Sequence, residues 1–146
     1  MFSAEQLMKT VIEAWGEADL VPVREALDEN VVWKSASSCD GTEFVFGGEY
    51  RGRDNVIALL SRLSTKYFFQ QYAAKEIISK GEIVCGLFEV NGSYLPAGRS
   101  DQGRKAIKFE SAFRWRIRDG KILEAQSFFD TAALLTQQGA FRACAA

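Results

Sequence analysis

The sequence predicts an α+β domain in which N-terminal helices pack on one face of a curved antiparallel sheet. Apolar residues recur at helical spacing before Tyr67, and β-type alternation dominates after it. Lys80-Gly81 and Asp119-Gly120 are predicted two-residue hairpin turns between consecutive strands. Helices followed by an antiparallel meander are typical of this class. The chain has 146 residues and no repeat or Pro-rich linker, so we expect one domain over residues 1–146.

The N-terminal half contains three predicted helices. Ser3 and Gln6 have the Ser-x-x-Gln form of a capping box. The apolar residues that follow at helical spacing are Leu7, Met8, Val11, Ile12 and Trp15. A short second helix is predicted over residues 20–27 and a third over residues 53–66, whose apolar residues also share one face.

The predicted strands lie on both sides of the third helix. The first covers residues 30–33, and residues 35–52, rich in Ser and Gly, are predicted to form a long loop. The remaining strands are predicted over residues 68–79, 83–94, 105–118 and 121–130.

Composition limits the partners and the location. The 18 basic and 19 acidic residues give a formal net charge of −1, so the chain lacks the basic field that nucleic acid or an anionic membrane surface requires. No segment has the length of apolar residues that a membrane span needs, and the N-terminus does not resemble a signal peptide, so we expect a cytoplasmic protein. Cys39, Cys85 and Cys144 are odd in number and far apart, which supports neither a disulfide framework nor a thiolate metal site.

The chain contains no histidine, and this excludes several mechanisms. Ser-His-Asp and Cys-His catalysis, His-ligated zinc and proximal-His haem all need imidazole. Acid–base chemistry would have to use carboxylates, Tyr, Lys, Cys or water. We predict no metal and no cofactor.

The turn at Asp119-Gly120 predicts which residues of the last hairpin share a face. A two-residue turn places Phe113 opposite Gln126, Ser111 opposite Phe128, and Phe109 opposite Asp130. This set belongs to the more apolar face, so it should face the helices.

Asp130 would then be a carboxylate in apolar surroundings. Partial desolvation raises the pKa of a carboxyl group and suits it to proton transfer near neutral pH. Two alternatives stay open. Asp130 precedes Thr131 and could cap a C-terminal helix, and a β-bulge between Phe109 and Asp130 would reverse the facing.

The order of elements and several local strings resemble the SnoaL-like members of the nuclear transport factor 2-like superfamily, which includes ketosteroid isomerases, polyketide cyclases and limonene epoxide hydrolases. The strings are the helix around Val11 to Trp15, Ala18-Asp19-Leu20, Val31-Val32-Trp33, Gly48 to Gly52, Asp119-Gly120-Lys121-Ile122, and Phe129-Asp130 followed by Leu134-Leu135 and Gly139.

The resemblance implies a cone-shaped sheet around the helices, an apolar pocket and, commonly, a homodimer. Polyketide cyclases of this group use one aspartate as acid and base without a cofactor, and Asp130 is the most similar position. The isomerases need a carboxylate just after the Val31-Val32 strand, where this chain has Trp33, Lys34 and Ser35. The epoxide hydrolases need an Arg-x-Asp where this chain has, approximately, Leu87-Phe88-Glu89.

We therefore predict cyclase- or isomerase-type proton transfer on an apolar carbonyl compound, with Asp130 as general acid and base. The predicted ligand-binding residues are aromatic side chains and two polar ones: Trp33, Phe46, Tyr50, Phe88, Phe109, Phe113 and Phe128, with Ser111 and Gln126. The alternative is a non-catalytic ligand-binding or dimerisation module. A cavity with Asp130 exposed to it would favour the enzyme, whereas Asp130 capping the last helix would favour the module.

Overall fold

The computed structural model describes residues 2–35, 47–96 and 103–139. Four helices and six strands occur in them in this order: α1 (Ala4–Gly16), α2 (Leu20–Ala26), β1 (Leu27–Lys34), β2 (Glu49–Arg51), α3 (Arg53–Ser64), β3 (Tyr67–Lys80), β4 (Ile83–Tyr94), β5 (Lys105–Arg118), β6 (Lys121–Phe129) and α4 (Thr131–Gln138). The predicted α+β class is confirmed. No described helix has the length and apolarity needed to cross a membrane.

Helix α1 begins at the predicted capping box. The Ser3 hydroxyl accepts from the Gln6 backbone N–H, and the Gln6 side chain accepts from the Ser3 N–H at 3.0 Å. Both contacts satisfy donors that the first helical turn leaves without partners. The buried face of the helix is Met8, Val11, Ile12 and Trp15, as the spacing predicts.

The sheet is open and has the strand order β2-β1-β6-β5-β4-β3. Strands β3 to β6 form the predicted antiparallel meander, but β1 pairs parallel with β6, so the sheet as a whole is mixed. The short strand β2 lies within the predicted loop and pairs antiparallel with β1. We call the side facing α1 and α3 the inner face and the opposite side the outer face.

Both predicted hairpins are present, one with a shifted turn. Asp119 and Gly120 have φ values of 51° and 72°, the left-handed pair that a two-residue hairpin turn requires. In the other hairpin Lys80 pairs with Ile83, so the turn residues are Gly81 and Glu82 rather than Lys80 and Gly81.

A β-bulge in β6 makes the predicted register wrong beyond the first two pairs. Arg118 pairs with Lys121 and Ile117 with Ile122 as predicted, but Arg116 then pairs with Glu124, which leaves Leu123 as the extra residue. A bulge adds one residue to one strand, so every later side chain of that strand moves to the other face.

The bulge changes which polar groups face the helices. Phe113 pairs with Ser127 instead of Gln126, and Ser111 pairs with Phe129 instead of Phe128. Ser127 is buried on the inner face, whereas the Phe128 side chain is 47% exposed on the outer face. The predictions that Gln126 and Phe128 face the helices are therefore wrong.

Helix α4 closes one end of the inner face. The Gln137 side chain accepts from the Lys108 N–H and donates to the Lys108 carbonyl, both at 2.8 Å, which fastens the helix to β5. Leu134 is buried in the core, and Gly139 ends the helix in the left-handed conformation, with φ 81°.

Candidate active site

The inner face and the helices line a partly open cavity of about 80 Å³, which we call the inner cavity. Its lining is mostly aromatic and aliphatic. The lining residues are Trp15, Trp33, Ser35, Leu60, Leu63, Tyr67, Phe69, Tyr72, Phe109, Ser111, Phe113, Ser127, Phe129 and Leu134.

The polar side-chain groups on this lining, apart from the indole N–H groups, are hydroxyls. They belong to Ser35, Tyr67, Tyr72, Ser111 and Ser127. None of the described lining residues carries a carboxylate, an ammonium or a guanidinium group. The site therefore favours neutral ligands, because a buried charge without a partner is costly.

A bulge in β3 places Tyr72 on the inner face. Phe69 pairs with Gly92 and Gln71 with Asn91, so Gln70 is the extra residue. Strict alternation would direct Phe69 and Gln71 inward, whereas the bulge directs Phe69 and Tyr72 inward.

Tyr72 and Ser111 lie beside one another in the cavity wall. Burial raises the pKa of Tyr72 above its ordinary value of 10.0, and the hydrogen bond with Ser111 offsets part of that effect. The Ser111 residue is only 2% exposed. A tyrosine with a raised pKa stays protonated near neutral pH, so Tyr72 is a hydrogen-bond donor there and not a base.

Tyr67 is a second tyrosine of the lining; it is buried and is held by α4. The Gln138 side-chain amide donates to the Tyr67 hydroxyl. Burial raises the pKa of Tyr67, the Gln138 hydrogen bond partly offsets this, and neighbouring Tyr94 adds to the rise. The Tyr67 ring lies 6.1 Å from the Phe69 ring in a stacked arrangement, which continues the aromatic wall.

Four of the predicted ligand-binding residues line the inner cavity: Trp33, Phe109, Ser111 and Phe113. Phe88 lies behind this lining and is fully buried, with its ring 5.7 Å from the Phe113 ring. It shapes the wall without facing the space.

The other predicted residues lie elsewhere. The Tyr50 hydroxyl donates to the Gly47 carbonyl at 2.9 Å, and Tyr50 is not part of the cavity lining. Gln126 and Phe128 are on the outer face because of the β6 bulge. Phe46 lies outside the described residues.

Asp130 is the N-cap of α4. Its carboxylate accepts from the Ala133 N–H at 2.9 Å, and the residue is exposed. It borders a groove on the outer face together with Phe128 and Leu87, not the inner cavity. The expected position of Asp130 on the inner face is therefore wrong, because the β6 bulge shifts the register. The catalytic role of Asp130 stays a prediction.

Glu89 does not supply an inner carboxylate either. It lies between buried Phe88 and Val90 on β4 and pairs with Glu110 of β5. Since side chains alternate along a strand, Glu89 is on the outer face. Among the described residues there is no group of three His, Cys, Asp or Glu side chains that could hold a metal ion.

Four hydroxyl-bearing lining residues are absent from the predicted set: Ser35, Tyr67, Tyr72 and Ser127. The run Tyr67-Phe68-Phe69-Gln70-Gln71-Tyr72 contains a signal for Tyr72. Tyr67 and Phe69 share a face by alternation, and Tyr72 joins that face only when one of the two residues between Phe69 and Tyr72 is extra. Ser127 follows directly from the β6 bulge.

Comparison with solved structures finds the same fold at low sequence identity. One is an NTF2-like protein of unknown function from Burkholderia pseudomallei, with 23% identity, coverage of 94% of this chain and 98% of that chain, and a TM-score of 0.75. Another is IdmH from Streptomyces antibioticus, named as a candidate polyketide cyclase, with 20% identity, coverage of 91% and 96%, and a TM-score of 0.73. TerC, co-crystallized with polyporic acid, has 18% identity, coverage of 90% and 94%, and a TM-score of 0.72.

The structural similarity establishes the fold, whereas the low sequence identities leave the chemistry open. The comparison with curated proteins gives no match. The SnoaL-like domain family, in contrast, matches the sequence over residues 8–125, which is most of the chain and includes β1 to β5. The chain therefore belongs to the SnoaL-like domain family.

Proposed function

We propose that the protein binds a neutral, apolar small molecule with a carbonyl group in the inner cavity. The observation that carries this proposal is the Tyr72–Ser111 pair in an otherwise apolar, aromatic wall. A few convergent polar groups in an apolar cavity are the usual composition of a small-molecule site.

The chemistry of Tyr72 suits a carbonyl oxygen. The Ser111 hydroxyl can donate to the Tyr72 oxygen, so the phenolic proton is directed to a ligand. Because burial keeps Tyr72 protonated, it can polarise a carbonyl and stabilise the negative charge of an enolate. Such stabilisation supports cyclase- and isomerase-type proton transfer without a cofactor.

The inner cavity is small for a ring, so we expect its wall to move when a ring binds. A cavity of about 150 Å³ holds benzene, and the inner cavity has about 80 Å³. Trp15 and Phe69 lie between it and a groove of about 430 Å³ beside α1 and β3. Displacement of these two side chains would join the two spaces and admit a larger ligand, with Tyr72 left in place.

The test is the affinity of wild type and Tyr72→Phe for acetophenone, measured by calorimetry. Loss of one hydrogen bond of about 0.5–1.5 kcal/mol should weaken binding about threefold to tenfold. Tyr50→Phe is the matched control, because it also removes a phenolic hydroxyl, but outside the cavity. Equal affinity of wild type and Tyr72→Phe, or no binding of acetophenone by wild type, would contradict the proposal.

A second candidate function adds acid–base catalysis by Asp130. IdmH is named as a candidate polyketide cyclase and shares the fold, which favours an enzymatic role. Asp130 directly follows Phe129 of the cavity wall, so a shift of α4 would bring its carboxylate to the cavity end. Asp130→Asn separates the two functions: the enzyme loses turnover and keeps ligand affinity, whereas the binding module has no turnover to lose and keeps ligand affinity.

We further propose a homodimer formed through the outer face. An outer apolar patch consists of Ile78, Cys85, Leu87, Ala112 and Phe128, of which Ile78 and Phe128 are 61% and 47% exposed. Contiguous apolar surface of this kind marks interaction sites.

Charge complementarity favours a second copy as the partner. Glu76 and Arg114 border the patch on different strands, and neither forms an ion pair with a described residue. In a twofold arrangement, Glu76 of one copy can meet Arg114 of the other.

Phe128→Lys should shift sedimentation from dimer to monomer and preserve acetophenone binding. A wild-type protein that sediments as a monomer would contradict this proposal. Cytoplasmic location stays a prediction.

A further inference from the structure

Three serine hydroxyls lie along one side of the inner cavity. Lys34 of β1 pairs with Gln126 of β6, so Ser35, the next residue, comes beside Ser127. All three serines, Ser35, Ser127 and Ser111, line the cavity.

Ser127 and Ser111 are neighbours across the hairpin. Ser127 pairs with Phe113 and Ser111 with Phe129, so the two serines stand diagonally on the same face. The hydroxyls therefore cross three strands, from β1 through β6 to β5. Tyr72 of β3 adjoins the β5 end, because its ring lies 6.4 Å from the ring of Phe113 and it shares the cavity lining with Ser111.

Ser35 forms the β1 end of this row of serines. Its hydroxyl oxygen is buried and has no hydrogen-bond partner among the described residues. A buried hydroxyl without a partner costs about 1–3 kcal/mol, so such a group calls for an explanation. Its backbone N–H is satisfied separately, by the Gly48 carbonyl at 3.0 Å, which fixes Ser35 in place.

We infer that the inner cavity selects a neutral ring compound with two oxygen substituents at opposite ends. One oxygen, a carbonyl, accepts from Tyr72 at the β5 end, and the other, a hydroxyl or carbonyl, meets Ser35 at the β1 end. This inference rests on the proposed function and names the class of ligand for the same site.

The spacing fits one six-membered ring. Adjacent strands lie about 4.8 Å apart and a diagonal pair about 7–8 Å apart, so the row from Ser35 through Ser127 to Ser111 is roughly 12 Å long. A ring with oxygens at opposite ends spans about this distance when a hydrogen bond of about 2.8 Å is added at each end. Ser127, between the ends, borders the ring itself.

None of the described lining residues is charged, and this limits the class of expected ligands further. A carboxylate on the ring would be buried without a cation, whereas a phenol or ketone oxygen needs only a hydroxyl partner. Neutral oxygenated rings are therefore favoured over aromatic acids of the same size.

Calorimetry with three probes tests the inference: 4-hydroxyacetophenone, acetophenone and 4-hydroxybenzoate. Wild type should bind 4-hydroxyacetophenone about threefold to tenfold more tightly than acetophenone, and 4-hydroxybenzoate most weakly. Ser35→Ala should abolish the advantage of 4-hydroxyacetophenone and leave acetophenone affinity unchanged. Ser79→Ala is the control, because Ser79 contacts exposed Glu5 and not the cavity.

The outcomes separate this inference from the proposed function. If 4-hydroxyacetophenone and acetophenone bind equally, or Ser35→Ala weakens both alike, the two-oxygen inference is overturned and the proposed function stands. If none of the probes binds to wild type, both are overturned. Ser35→Thr retains a hydroxyl, so it should restore the preference for 4-hydroxyacetophenone; failure to do so would also count against the role of Ser35.

Discussion

Replacement of Asp130 by Asn and by Ala distinguishes a helix cap from a catalytic group. The carboxylate accepts from the Ala133 N–H at 2.9 Å and stands at the N-terminus of α4. Asn is a comparable N-cap residue, so Asp130→Asn should lose only the charge interaction with the helix dipole, about 0.3–1 kcal/mol at most. Asp130→Ala removes the cap as well and should destabilise the protein by about 1 kcal/mol or somewhat more.

The change in the free energy of unfolding is measurable because α4 packs against the rest of the fold. Leu134 is 2% exposed and Gln138 is 6% exposed, so loss of the cap is felt in global unfolding. For a domain of this size, about 1 kcal/mol corresponds to a change in Tm of roughly 3 °C. Urea denaturation and thermal melting of wild type, Asp130→Asn and Asp130→Ala provide the assay. Equal stability of Asp130→Ala and wild type would refute the capping argument, and loss of acetophenone affinity in Asp130→Asn would refute the placement of Asp130 outside the inner cavity.

Three further predictions concern the tyrosines and their neighbours. The raised pKa values of Tyr67 and Tyr72 contribute stability that is fully present below their unfolded pKa of 10.0 and is lost as the pH rises above it. The urea midpoint of wild type should therefore fall above about pH 10, and the midpoints of Tyr67→Phe and Tyr72→Phe should fall less steeply. Gly16→Ala places a Cβ 2.7 Å from the Tyr72 Cβ, so the urea midpoint should fall by an amount equivalent to about 1 kcal/mol despite the better helix propensity of Ala; an increase would show that the Tyr72 contact is not tight. Ser35→Ala removes a buried hydroxyl without a described partner, so its melting temperature should equal or exceed that of wild type, and a clear decrease would indicate that the hydroxyl is satisfied.

Local chemistry explains why so much of the fold could be predicted. The Ser3 capping box and the Asp119-Gly120 turn each depend on residues next to one another in the sequence, and both are present in the structure. The boundaries of β4 and β5 match the predicted ranges because turns or loops limit both strands. Pairing of β1 with β6 depends on contacts between distant segments, and no local pattern indicates that this pair is parallel.

The candidate site was harder to predict because single-residue bulges decide it. The extra residue Leu123 moves Ser127 inward and moves Gln126 and Phe128 outward. The extra residue Gln70 brings Tyr72 to the cavity. Alternation along a strand predicts facing only while the ladder is regular, so each bulge exchanges the two faces up to the next irregularity, as in β3, where a second shift follows between Ala74 and Glu76.

The missing histidine excludes imidazole mechanisms, and the structure shows what the inner cavity contains instead. Its described polar lining consists of hydroxyls, with Tyr72 kept protonated by burial. Such a lining donates and accepts hydrogen bonds without changing charge near neutral pH. Binding and polarisation of a neutral carbonyl compound follow directly from these groups, whereas proton abstraction requires a carboxylate from elsewhere.

A crystal structure of the protein soaked with acetophenone tests the central claim most directly. We expect the ring among Trp33, Phe109 and Phe113, with the carbonyl oxygen within hydrogen-bond distance of the Tyr72 hydroxyl. Acetophenone bound in the outer groove beside Asp130, with the inner cavity unchanged, would contradict it.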